Sequence, residues 1–102
     1  MNVTETKGEG MIQLAVSGNV DTNTAPRLQS AVLTAFQKTS NVVLDMGQCP
    51  YLSSAGLRAL LIGQKTASSK GGTFRLCNVQ ESVMKVLQMT KFDKVLTVDN
   101  VL

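Results

Sequence analysis

Two adjacent serines, Ser53 and Ser54, carry the strongest chemical signal in the sequence. They follow a short apolar run that ends in an acid, residues 42–45, and precede an amphipathic stretch that begins at Leu57. This pattern predicts a strand, a loop and then a helix start, where outward-pointing backbone N–H groups favour an added negative charge. The sequence therefore indicates a serine presented for phosphorylation, although a plain helix N-cap would use serine equally well.

The chain has few residues from which an active site could be built. It contains no histidine, so a Ser-His-acid triad is impossible. Ser82 and Lys85 have the spacing of an SxxK motif, but no second catalytic motif accompanies them. Cys49 and Cys77 lie far apart and form no CxxC pair, which argues against zinc. We expect no catalytic residues, no metal and no cofactor, and hence a protein that is not an enzyme.

Size and composition favour a folded protein that contacts other proteins. At 102 residues the chain predicts a single domain spanning residues 1–102, large enough to bury a core. The net charge is +3, and the basic residues gather in the second half of the chain but stand singly and not in clusters. With only one tyrosine and three phenylalanines for base stacking, this argues against nucleic-acid binding. An acidic protein partner suits this charge better. The polar N-terminal segment and the absence of a long apolar run predict a cytoplasmic protein without membrane insertion.

Hydrophobic periodicity and turn residues predict five strands and three helices. The predicted strands cover residues 2–7, 11–16, 42–44, 73–77 and 94–98. The predicted helices cover residues 25–38, 54–69 and 79–89. Thr24 is the expected cap of the first helix, and Gly71 and Gly72 should end the second. Asn78 and Glu81 have the spacing of a capping box for the third helix.

The resulting order ββαβαβαβ determines the expected fold class. Strands that alternate with helices of this length need crossover connections, which produce a mostly parallel sheet. The crossovers should be right-handed. The sequence thus predicts an α/β fold, with a mixed, mostly parallel β-sheet packed against α-helices.

Three segments together resemble one known family. They are Val-Ser-Gly-Asn-Val-Asp at residues 16–21, Val-Val-Leu-Asp at 42–45 and Tyr-Leu-Ser-Ser-Ala-Gly-Leu at 51–57. The pattern is similar to that of the STAS domain family, the anti-sigma factor antagonists of bacterial partner-switching systems. The resemblance covers nearly the whole chain and implies a STAS-like fold. Family members often carry Asp immediately before the phosphorylated serine, and Ser53 takes that position here.

The resemblance implies a regulatory switch. The unphosphorylated protein would bind a cognate anti-sigma factor that is also a serine-protein kinase, and so release the kinase's target. Phosphorylation of Ser54 would end this binding, and a PP2C-type phosphatase would restore it. The protein would be a monomer when free. The residues expected to bind the partner are Asp21, Thr22, Asn23, Ser53, Ser54, Gly56, Leu57 and Arg58.

Two expectations concern individual residues near the switch. Asp21 and Asp45 match acidic or polar family positions that flank the site, and Asp21 is expected to serve recognition more than stability. Gly56 costs helix stability, so we expect it to leave access for the partner, and a larger residue there should leave the fold intact. The alternative hypothesis to a phosphorylation switch is a STAS-like subunit that is never phosphorylated and docks within a larger transport or sensory complex.

Overall fold

The computed structural model describes residues 1–99, and these form five strands and three helices in the predicted order ββαβαβαβ. The strands are β1 (Asn2–Gly8), β2 (Met11–Ser17), β3 (Asn41–Gln48), β4 (Thr73–Cys77) and β5 (Thr97–Val98). The helices are α1 (Ala25–Lys38), α2 (Ser54–Lys70) and α3 (Glu81–Met89). The predicted α/β class and element order are therefore confirmed. None of these helices is long and apolar enough to cross a membrane.

The sheet has the strand order β1-β2-β3-β4-β5. β1 and β2 form an antiparallel hairpin, and every later neighbour pair is parallel. Each parallel pair is joined through one helix, as crossover connections require. Loops that follow β2 and β3 consequently leave the sheet at the same edge, and this brings residues 18–24 close to the start of α2.

A single apolar cluster joins the sheet to the helices. The strands contribute alternate side chains, namely Ile12, Leu14, Val16, Val42, Leu44, Met46, Phe74 and Leu76. The helices contribute residues at helical spacing, namely Leu28, Val32, Phe36, Leu57, Leu60, Val83 and Leu87. The rings of Phe36 and Phe74 meet at a centroid distance of 6.0 Å. Burial of side chains this large is the main source of stability in such a domain.

Gly63 allows α2 to approach the core closely. A Cβ atom at this position would lie 2.9 Å from the Phe74 ring and 3.1 Å from Cγ1 of Val32. The missing side chain therefore sets how closely α2 packs against α1 and β4. The same packing determines where the N-terminus of α2 stands relative to the sheet edge.

The predicted capping box of the third helix is wrong. The N-cap of α3 is Gln80, and no side chain caps the helix there. Asn78 adopts a left-handed backbone with φ of 55°, which asparagine tolerates better than most residues. Its Nδ2 donates to Oδ1 of Asp45 at 3.2 Å and links β3 to the loop after β4. The amide is thus used between elements and not at the helix end.

The last strand is shorter than predicted. Phe92–Lys94 forms a 3-10 helix, and only Thr97–Val98 pairs with β4. Leu96, between them, is buried in the core. Val95 is 51% exposed, so the segment after the 3-10 helix contributes one inward side chain before a strand of only two residues.

Candidate functional site

The loops after β2 and β3 are joined by main-chain hydrogen bonds. The N–H of Val20 donates to the carbonyl of Tyr51 at 2.9 Å, and the N–H of Ser53 donates back to the carbonyl of Val20 at 2.8 Å. Val20 and Leu52 form an isolated parallel bridge, and both side chains are buried. The parallel pairing of the sheet thus resumes beyond the strands, directly before α2. It places Asp21 and Ser53, which follow these bridge residues, next to each other in the two loops.

Ser53 is the N-cap of α2. Its backbone is extended, and its Oγ accepts a hydrogen bond from the N–H of Gly56 at 3.2 Å. The first hydrogen bond of the helical ladder runs from the N–H of Leu57 to the carbonyl of Ser53 at 2.9 Å. The capping role that either serine could have played therefore falls to Ser53.

Ser54 is the first residue of the helix and is exposed. The N–H groups of Ser54 and Ala55 precede the first intrahelical bond, so the helix supplies them with no acceptor. The first turn of α2 contains no acidic residue, and its partial positive charge is not offset there. The chemical environment of Ser54 thus suits an added anion, whereas the hydroxyl of Ser53 is engaged.

Asp21 shapes the turn that leads into α1. Its Oδ1 accepts hydrogen bonds from the N–H of Asn23 at 2.9 Å and from the N–H of Thr24 at 3.0 Å. The N–H of Asp21 in turn donates to Oγ1 of Thr24 at 2.9 Å. The hydrogen bond from the Thr24 backbone is the main cause that lowers the pKa of this carboxyl below its ordinary value. Asp21 therefore has a structural role that the sequence did not predict.

The Thr24 side chain does not cap α1 in the predicted way. Thr24 occupies the N-cap position, but its side chain caps no N–H of the helix. Its hydroxyl lies 3.0 Å from the carbonyl of Asn19 and 3.1 Å from Oδ1 of Asp21. Thr24 consequently stabilises the loop before α1, together with Asp21.

Gly56 and Leu57, both predicted to bind the partner, lie in the interior. A Cβ atom on Gly56 would lie 2.5 Å from Cδ1 of Leu52 and 2.9 Å from Cγ1 of Val20. These distances argue against the expectation that a larger residue at Gly56 leaves the fold intact. The glycine lets α2 pack onto the bridge between the two loops, and that bridge in turn locates the helix start.

Among the other predicted partner-binding residues, Thr22, Asn23 and Arg58 are exposed. Thr22 and Arg58 line one groove between the starts of α1 and α2, with a volume of about 310 Å³. Asp45 lies within β3, where its Oδ1 accepts from the N–H of Gly47 at 2.9 Å and from Asn78. Its side chain thus joins β3 to the loop after β4.

Sequence reasoning missed two residues of this site. Val20 falls outside the predicted strands and helices, yet it is fully buried and takes part in both inter-loop hydrogen bonds. Tyr51 is 51% exposed beside the serines and presents a large ring to solvent. The sequence contains a signal for both residues, because a large apolar residue in a polar loop is either buried against the core or exposed as a contact surface.

Sequence comparison identifies the family. The profile of the STAS domain matches residues 2–102. The chain therefore belongs to the STAS domain family, as its motifs predicted.

Individual relatives show which members of the STAS family this chain resembles. The Bordetella bronchiseptica protein BtrV, named provisionally as an anti-sigma factor antagonist, is 32% identical over 101 residues, which cover 98% of this chain and 87% of BtrV. The anti-sigma F factor antagonist of Paenibacillus polymyxa is 25% identical over 91 residues, covering 87% of this chain and 78% of the relative. An anti-sigma factor antagonist structure from Mycobacterium paratuberculosis has a TM-score of 0.86 at 22% identity, covering 99% of this chain and 86% of that one. The chain groups with anti-sigma factor antagonists in sequence and shares their fold.

The packing of Gly56 generates the first prediction. Gly56→Ala should lower the free energy of unfolding by about 1–3 kcal/mol, because the added methyl group overpacks Leu52 and Val20. Urea denaturation measures this loss. In a Leu52→Ala background the same change should cost less, since the closest colliding atoms, Cδ1 and Cγ of Leu52, are gone and only Cγ1 of Val20 remains close. If Gly56→Ala instead stabilised the protein, as its helix propensity alone would do, the packing argument would be refuted.

The hydrogen bonds of Asp21 generate the second prediction. A carboxyl whose pKa is lowered on folding stabilises the protein above its unfolded pKa, and this contribution is lost as the pH falls through the folded pKa. The wild type should therefore lose more stability than Asp21→Asn when the pH falls from neutral to below the ordinary value of 3.8. Thermal melting of both proteins across this range measures the difference. Parallel curves would show that the Asp21 carboxylate has no such role.

Proposed function

We propose that this chain is an anti-sigma factor antagonist controlled by phosphorylation of Ser54. The unphosphorylated form binds a cognate anti-sigma factor that is also a serine kinase, and this binding releases the kinase's target. The observation that carries the proposal is the division of roles between the two serines: Ser53 caps the helix, whereas Ser54 stands exposed at its first position. A kinase therefore meets a hydroxyl that the fold does not use.

The proposed switch acts by charge and bulk at the contact surface. A phosphoserine carries about −1.5 to −2 charges at pH 7. A helix N-terminus stabilises such an anion by roughly 0.3–2 kcal/mol, so the fold tolerates the modification. The cost falls on the partner interface, where the phosphate adds repulsion, volume and a desolvation penalty. A local change of this kind needs no rearrangement of the core.

The remaining parts of the proposal follow from this mechanism. A PP2C-type phosphatase removes the phosphate and restores binding. The protein acts in the cytoplasm, as a monomer when free and as a single domain, without catalysis of its own. Thr22, Asn23 and Arg58 contribute the exposed contacts around Ser54, and Tyr51 adds an apolar one.

Intact-mass spectrometry with the serine kinase encoded beside this gene tests the proposal. The wild type should gain about 80 Da on incubation with the kinase and ATP, and Ser54→Ala should gain nothing. Ser53→Ala is the matched control: it should still be phosphorylated, although loss of the cap costs about 1 kcal/mol of stability. Modification of Ser53 alone would contradict the assignment. A protein that binds a partner but is never phosphorylated would instead be the docking subunit of a larger complex.

A further inference from the structure

Helices α1 and α2 contain no aspartate or glutamate. Their cations are Arg27, Lys38, Arg58, Lys65 and Lys70. Lys38 forms an ion pair with Glu5 on β1, and Lys70 donates to the carbonyl of Phe36. Arg58 forms no ion pair within residues 1–99. The helical surface that contains Ser54 thus carries positive charge that the protein itself does not neutralise.

Arg58 lies in the groove between the starts of α1 and α2. The groove has a volume of about 310 Å³, and most of its lining is apolar, including Ala25, Pro26, Ala55 and Ile62. Asp21, the acid just before α1, uses its Oδ1 to bind the N–H groups of its own turn. A guanidinium beside an apolar groove is suited to a carboxylate flanked by apolar side chains, because Arg binds carboxylates through two parallel hydrogen bonds.

Arg58 also stands one helical turn after Ser54. Residues at i and i+4 are neighbours on a helix surface, with Cβ atoms about 5–6 Å apart. A negative group at i and a positive group at i+4 is the favourable orientation for such a pair. Both residues are exposed, and their spacing places a phosphate on Ser54 within reach of the guanidinium.

We propose that Arg58 is the cation for which an acidic residue of the partner and the phosphate of Ser54 compete, and that the α1–α2 groove seats the partner's segment. In the unphosphorylated protein Arg58 is free to bind a carboxylate of the partner. After phosphorylation the phosphate of Ser54 pairs with the guanidinium of Arg58 in the same molecule. The partner then loses an attractive contact and also meets a new negative charge. The proposal rests on the proposed phosphorylation of Ser54.

The groove favours a protein segment over the other polyanions. It is concave, mostly apolar and presents one guanidinium, which matches a single carboxylate among apolar side chains. An anionic membrane surface or a nucleic acid would instead require several clustered cations. Lys65, the next cation along α2, lies about two helical turns away from Arg58.

Phosphorus NMR tests the intramolecular pair without any partner. Phosphoserine is placed at position 54 during translation, in the wild type, in Arg58→Gln and in Arg27→Gln. Arg27 is the matched control, because it is an exposed arginine on α1 outside the groove lining. The pKa of the phosphate should be about 0.3 unit higher in Arg58→Gln than in the other two proteins. Equal values in all three would overturn the pairing.

Calorimetric titration with the same serine kinase tests the competition. Arg58→Gln should weaken binding of the unphosphorylated protein by about tenfold or more, and Arg27→Gln should leave it unchanged. Phosphoserine at position 54 should then weaken binding by a smaller factor in Arg58→Gln than in the wild type. If Arg58→Gln bound the kinase with wild-type affinity, the proposed contact would be refuted. If both arginine variants bound more weakly, the effect would be one of net charge and the specific contact of Arg58 would likewise be refuted. A kinase that fails to modify Ser54 refutes the proposed function, and the NMR comparison still decides the pairing.

Discussion

The structure of the site depends on two main-chain hydrogen bonds at Val20. They continue the parallel pairing of β2 and β3 for one more bridge, between Val20 and Leu52, and so fix the residue at which α2 begins. Gly56 completes the arrangement, because only a residue without a side chain lets the first turn of α2 rest on that bridge. The position of Ser54 is therefore set by the pairing of the two loops, which extends the sheet, and by the packing of Gly56 onto that pairing.

The helix start gives the two serines different environments. Oγ of Ser53 accepts a hydrogen bond from the N–H of Gly56, while Ser54 is exposed to solvent. Modification of Ser54 consequently changes the charge of the surface without removing a cap. Helices α1 and α2 contain no acid, so their charged side chains are all positive, and a phosphate on Ser54 would add negative charge among them.

The sequence predicted the order and most boundaries of the elements, because burial imposes a period of two on strands and 3.6 on long helices. It failed where side chains from distant segments decide the outcome. The sequence pattern around Asn78 predicts a helix cap, but the side chain bonds Asp45 of β3 instead. Gly56 suggests open space for a partner, but Val20 and Leu52 pack against it. The exposed position of Ser54 at the start of α2 was predictable from the local pattern of a strand, a loop and a helix start. The apolar character of Val20 in a polar loop was a usable signal, but its hydrogen bonds to the second loop and those of the Asp21 carboxylate depend on tertiary contacts and local geometry.

Amide hydrogen exchange at Val20 and Ser53 tests the central claim most directly, since these N–H groups form the inter-loop hydrogen bonds. Measured with and without phosphate on Ser54, both amides should exchange about as slowly as those of the central strand β3, and the phosphate should leave them protected. Such a result would show that phosphorylation changes the surface of the site without opening the hydrogen bonds between the two loops. Rapid exchange of either amide, or loss of protection on phosphorylation, would contradict the account and make the switch a conformational one.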